Sequence, residues 1–280
     1  MVSMKIIADL DIPLDNIERI AYCYNCLFVI YANSNNVWEI IVYRIKKHAI
    51  QCVVDTISTG VNKTNVIYNF VVNDCRMGDN NYTPTYKILV RFKDTIKLFT
   101  SPNIVTVNLH PVDHVIDVIL CNLHCYILTL TDTGPVIEQY NIHSSLMTLY
   151  QIPDHLLPHK NCIDRWKLAI TGNKMSLLVR DERNSVIVHI ANVHDTLEFV
   201  HKITYLSNCI FSDDFDRVII NDKFLFTCHG PSLLLFVYNI NLVFLHFKSH
   251  VIDMCTFDNN NLITRSSYPS TNRVTFYRIS

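Results

Sequence analysis

Five acidic residues return in a shared local phrase, and their spacing is the first hint of chemistry in this chain. Glu18, Asp117, Asp164, Asp216 and Asp253 each follow an apolar residue: Ile17, Ile116, Ile163, Phe215 and Ile252. If the phrase marks equivalent places in a repeated architecture, five carboxylates form a ring that could hold a cation or a basic peptide. The bland reading is that each accepts backbone N–H bonds in its own turn, and it is the favoured one. Cysteines make the second constellation. Cys23-x-x-Cys26 and Cys121-x-x-x-Cys125, with His124 between the latter two, have ligand-like spacing. A structural zinc site needs two such pairs to converge in tetrahedral geometry. Here each pair falls at the same place in its own repeat, so buried packing is favoured and no metal is expected. Among the 13 histidines, His155, His159, His194 and His229 fall in expected loops. None has a spaced acid and nucleophile that compose a recognisable triad. No catalytic residue and no cofactor site is assigned, and with only 5 glycines a phosphate-cradling loop is not expected.

The elements that must position these residues are short strands. One stretch repeats literally, His114-Val115-Ile116-Asp117 as His250-Val251-Ile252-Asp253. The acidic phrases recur at steps of roughly 40–50 residues, the first step being about two repeats long. Each leads into a β-branched or aromatic run such as Leu27–Tyr31 or Tyr126–Leu130. That period, built from strands, predicts an all-β fold, a β-propeller of six blades within a single domain over residues 1–280. The expected repeats cover about 17–57, 64–110, 114–153, 162–206, 209–249 and 250 onward. The sixth shows three clear strands, and the N-terminal run Met4–Leu10 has no other home. It is expected to supply the missing fourth strand and so cover an edge that would invite aggregation. In the second repeat, Cys75–Pro84 reads as a long polar loop.

Composition bounds the rest. Hydrophobic residues make up 49% of the 280 residues and charged ones 18%, which describes a folded chain. With glycine scarce, turns must use Asn, Asp and Ser, as in Asn33-Ser34-Asn35-Asn36. The richness in Ile, Asn and Tyr fits an AT-rich genome such as a viral or protist one. Net charge is −1, so no strong field draws nucleic acid or an anionic membrane. The basic runs Arg44–His48 and Lys87, Arg91, Lys93, Lys97 read as solvated strand faces. No secretory signal is recognised, and an intracellular location with ten reduced thiols is expected.

The stretch Val115–Val136 resembles the repeat of the regulator-of-chromosome-condensation family. His124 stands where that repeat has its His, Asp132-Thr133-Gly134 imitates its hairpin turn, and Cys121 replaces its first Gly. Residues 23–38 and 169–178 echo the pattern. The resemblance implies a propeller and a structural role for His124, and it carries over no functional residue. Two function classes follow. One is a non-enzymatic module that binds a protein partner on a propeller face. The alternative is a propeller hydrolase or lyase with its site at the central channel.

Overall fold

The computed structural model describes residues 3–77, 84–101, 107–108, 114–121, 123–153, 166–171, 174–180, 186–193, 197–206, 217–221, 223–229, 233–239, 244–258, 260–266 and 272–280. Its elements are strands in six four-stranded antiparallel sheets. The first sheet is β2 (Ile17–Cys23), β3 (Cys26–Ala32), β4 (Val37–Lys46) and β5 (Ala49–Asn62). The second is β6 (Ile67–Met77), β7 (Pro84–Phe92), β8 (Ile96–Thr100) and β9 (Val107–Asn108). The third is β10 (Val115–Cys121), β11 (His124–Thr131), β12 (Gly134–Asn141) and β13 (Met147–Gln151). The fourth is β14 (Lys167–Thr171), β15 (Lys174–Arg180), β16 (Val186–Val193) and β17 (Leu197–Leu206). The fifth is β18 (Arg217–Ile220), β19 (Phe224–His229), β20 (Leu234–Asn239) and β21 (Phe244–Ser249). The sixth joins β22 (Val251–Asp258), β23 (Asn261–Ser266) and β24 (Arg273–Ile279) to β1 (Met4–Asp11). One difference from expectation lies in the second sheet. β6 runs on to Met77 and β7 begins at Pro84, so both ends of the expected loop are paired strand.

The chain divides into two compact bodies, Met1–Val112 with Ser249–Ser280, and Asp113–Lys248. In the first, β2 packs beside β22 on one side and β6 on the other; in the second, β14 packs beside β10 and β18. Within each body the first strands of consecutive sheets therefore lie side by side, and those sheets stack face to face. This explains why Leu27–Tyr31 reads as an unbroken apolar run. Side chains alternate across a strand, yet both faces of the first sheet are covered. Phe28, Ile30, Ile40 and Val42 pack with Phe70, Ile88 and Val90 of the second sheet. Leu27, Val29 and Ile41 pack with Ile263, Val274 and Phe276 of the sixth. In the other body, Tyr126, Leu128 and Ile137 pack with Leu168, Met175 and Leu177. Each such side chain contributes about 1.5–3 kcal/mol on burial.

Asparagine serves the turns as expected, mostly through its side chain. Asn33 Oδ1 accepts from the N–H groups of Asn35 and Val37. Asn141 does so for His143 and Ser144, and Asn221 for Lys223 and Phe224. Left-handed backbone is shared more widely. It occurs at Asn16, Asn25 and Asn36, but also at Tyr24, Lys47 and His48.

β1 pairs with β24 from Met4↔Ile279 to Asp11↔Arg273, with one register shift between Ile6 and Ala8. Ser3 and Ser280 exchange backbone hydrogen bonds of 2.9 and 3.1 Å. Leu10 and Ile12 enter the cluster shared by the sixth and first sheets. Removing residues 3–11 strips the buried Leu10 side chain and exposes the edge of β24. We expect the truncated protein to melt about 5–10 °C lower, and Leu10→Ala alone to cost about 2–5 kcal/mol by chemical denaturation. An unchanged melting temperature after truncation would show that β1 contributes nothing.

Candidate functional site

Four first strands carry the same irregularity. The register shifts between Ile17 and Arg19, Ile67 and Asn69, Val115 and Asp117, and Val251 and Asp253. Such a bulge adds one unpaired residue and re-aims the side chains beside it. The residue just past it is thus Arg19, Asn69, Asp117 and Asp253 in the four sheets. Glu18 is the bulged residue itself, equivalent to Ile116 and Ile252, and the expected alignment of Glu18 with the aspartates is corrected by one position. Aligning the flanking apolar pairs, Ile17 with Val115 and Ile20 with Val118, would have given this register. Asp164 and Asp216 lie outside the described residues.

The two aspartates do the same thing. Asp253 is 0% exposed and its Oδ2 accepts the Ile20 N–H at 2.6 Å. Asp117 is 3% exposed and its Oδ2 accepts the Leu168 N–H at 2.8 Å. Each carboxylate reaches from the first strand of one sheet to the first strand of the next. A buried charge is tolerable only when paired and hydrogen-bonded, and Asp253 has an arginine as its counter-charge. Arg19 Nη1 lies 3.9 Å from Asp253 Oδ1. Arg265, directly across from Asp253 in the register, donates from Nη2 to the Glu18 carbonyl at 2.7 Å. Neither arginine was expected here. The available signal was position, because Arg19 occupies the site that aspartate fills in the third and sixth sheets.

Arg91 corrects the reading of the second basic run. It is buried, stands across from Asn69, and lies over the Tyr68 ring at 4.8 Å, a cation–π contact. Lys97 Nζ donates to the Thr59 carbonyl at 2.9 Å. The first run behaves as expected, with Lys46, Lys47 and His48 exposed.

The cysteine constellations separate. Cys23 and Cys26 face one another across the Tyr24-Asn25 turn. Cys121 stands opposite His124, and Cys125 opposite Leu120. Among the described residues, no group of three or more His, Cys, Asp or Glu is placed to hold a metal ion. Burial, then the nearby Glu138, pushes the Cys125 thiol up to about 12, and burial raises that of Cys121. Both are poor nucleophiles near neutrality. His124 Nε2 lies 3.3 Å from Asn141 Nδ2, a packed position. His155, His159 and His194 lie outside the described residues, while His229 ends β19 opposite Leu234.

One end of the third sheet carries something the sequence reading missed. The β10–β11 and β12–β13 turns meet there, with the Ile142 N–H donating to the Leu123 carbonyl at 2.9 Å. The Asn141 N–H donates to the Leu146 carbonyl at 2.8 Å. Leu123, Leu146, Met147 and Leu149 are all exposed, Leu146 by 69%. Met147 and Leu149 share one face of β13, the outermost strand of its sheet.

No family model matches the chain, and no curated protein matches it in sequence. Among solved structures it is similar to Hsv2 of Kluyveromyces lactis, at 14% identity and a TM-score of 0.50, over 90% of this chain and 71% of that one. It is similar to PorZ, a surface component of the type-IX secretion system of Porphyromonas gingivalis. There identity is 14% and the TM-score 0.52, over 90% of this chain but 30% of that one. A chain of the nidogen–laminin complex matches at 9% identity and a TM-score of 0.50, over 83% of this chain and 80% of that one. The likeness shows the fold: the protein is an all-β β-propeller. No helix among the described residues is long and apolar enough to cross a membrane.

The aspartates should behave as structural elements. Asp253→Asn leaves the Ile20 N–H a weaker acceptor and Arg19 without its counter-charge, and should cost about 1.5–3 kcal/mol. Glu18→Gln, one turn of register away, should shift stability by less than about 0.5 kcal/mol. Urea unfolding of both variants tests the contrast, and equal effects would dissolve it.

Proposed function

We propose that this propeller is a non-enzymatic interaction module that docks a protein partner on one loop face. The observation that carries the reading is the exposed apolar end of the third sheet. Leu123, Leu146, Met147 and Leu149 lie on two bonded turns and the strand they lead into. A contiguous exposed apolar patch marks an interaction surface more often than scattered residues do. Its backbone is held by ladder and turn bonds, so a partner would meet a surface already ordered. The hydrolase or lyase alternative needs carboxylates facing a channel. Asp117 and Asp253 are instead buried and committed to backbone N–H groups. One solved propeller with this likeness comes from a protein–protein complex, that of nidogen with laminin. We read the third repeat as diverged from the regulator-of-chromosome-condensation type, and place the protein inside the cell.

The test is a double substitution, Leu146→Asp with Leu149→Asp. Both side chains are exposed, so the melting temperature should move little. A partner captured with the wild-type protein and then purified should bind the variant at least about tenfold more weakly, equal to about 1.4 kcal/mol. Unchanged affinity in a folded variant would move the docking surface elsewhere. Turnover of a small molecule would overturn the reading.

A further inference from the structure

We propose that Cys23 and Cys26 form a reversible redox site, two thiols set to close into a disulfide across the first hairpin of the first sheet. The two residues are register partners at the ends of β2 and β3, and only Tyr24 and Asn25 separate them. Both turn residues have positive φ, 43° and 63°, the signature of a two-residue hairpin whose twist matches its strands. The pair closing such a turn is hydrogen-bonded, with Cα atoms about 5.5 Å apart. A disulfide spans about 4.4–6.8 Å between Cα atoms. The two side chains lie on the same face, since Cys26 belongs to the cluster between the first and second sheets and Cys23 packs against it. Both are in the thiol form, Cys26 buried and Cys23 partly exposed.

The second cysteine pair provides the contrast. Cys121 stands opposite His124, so Cys125, one residue further along β11, points to the other face of the sheet. Sequence spacing makes the pairs look alike, and register makes only the first one bridgeable.

The oxidant is a small disulfide such as oxidised glutathione. The Cys23 thiolate, the accessible one, attacks a glutathione sulfur. That S–S bond breaks and one glutathione leaves as its thiolate. The Cys26 thiolate then attacks the Cys23 sulfur of the mixed disulfide and expels the second glutathione. Two protein thiols lose two electrons and two protons, and one glutathione disulfide becomes two glutathiones. Cys23 is partly exposed, and an accessible bridge is one that a small reductant can reach, which suits a switch better than a permanent staple. It sits beneath Tyr24, which is 68% exposed, and next to the Asn25 carbonyl that accepts the Ile45 N–H at 2.7 Å.

The folded chain is equilibrated with glutathione buffers of increasing oxidised fraction, quenched in acid, alkylated and digested. The expected product is a peptide carrying both cysteines, unalkylated and lighter by two hydrogens. It should vanish on return to reduced glutathione, and no Cys121–Cys125 bridge should form. In Cys23→Ser, Cys26 should stay alkylatable only after unfolding, with the melting temperature of the reduced protein unchanged. Accumulation of a Cys23–glutathione mixed disulfide without closure would overturn the proposal. So would a bridge that forms only in urea.

Discussion

Within each body, consecutive sheets touch through first strands that lie side by side, and each such strand is ladder-paired only on its other flank. Apolar contact between the sheets is strong but indifferent to sliding by a residue. A carboxylate that accepts one particular N–H from the neighbouring strand is not indifferent. Asp253 on Ile20 and Asp117 on Leu168 fix the axial offset of neighbouring sheets, and they do so in a dry setting where leaving either group unpaired is expensive. The bulge before each aspartate is what turns its side chain toward the next sheet, so the irregularity and the bond form one device.

Around that device the packing follows. Because β3 is covered on both faces, it has no polar side to spare. Polar contacts move to the strand ends and turns: Trp38 Nε1 donates to the Asn65 carbonyl, and Tyr31 and Asn33 both donate to Glu39. Burial, reinforced by Glu39, pushes the Tyr31 hydroxyl up to about 12, so it remains a donor throughout the neutral range.

Most strands were legible because turn residues cut the chain at nearly every boundary, and the exchange of β1 into the sixth sheet followed from counting strands. The acidic phrase was legible as a repeat but not as a register, because a bulge shifts alignment by one residue without changing composition. That is why Glu18 stood in for Arg19. The roles of Arg19, Arg91 and Arg265 were hidden for a related reason. A buried arginine reads as a surface one until its cross-strand neighbour is known, and pairing between strands is not written locally. The exposed end of the third sheet was equally obscure. Leu146 and Met147 look like core residues, and only their exposure in the folded sheet shows otherwise.

The pairing of β1 with β24 carries a consequence for how the protein is made. Ser3 and Ser280 are 277 positions apart in sequence and within hydrogen-bond distance in space. At synthesis rates of about 5–20 residues per second, β1 waits roughly 15–55 s for β24 to emerge. Throughout that interval Ile6 and Ile7 lie on a strand without its ladder, and the growing sheets lack their closing partner. The nascent chain thus passes through a long vulnerable stage that ends abruptly once β24 has left the ribosome. Quality control of this protein is then a matter of timing, with β1 depending on a strand made long after it.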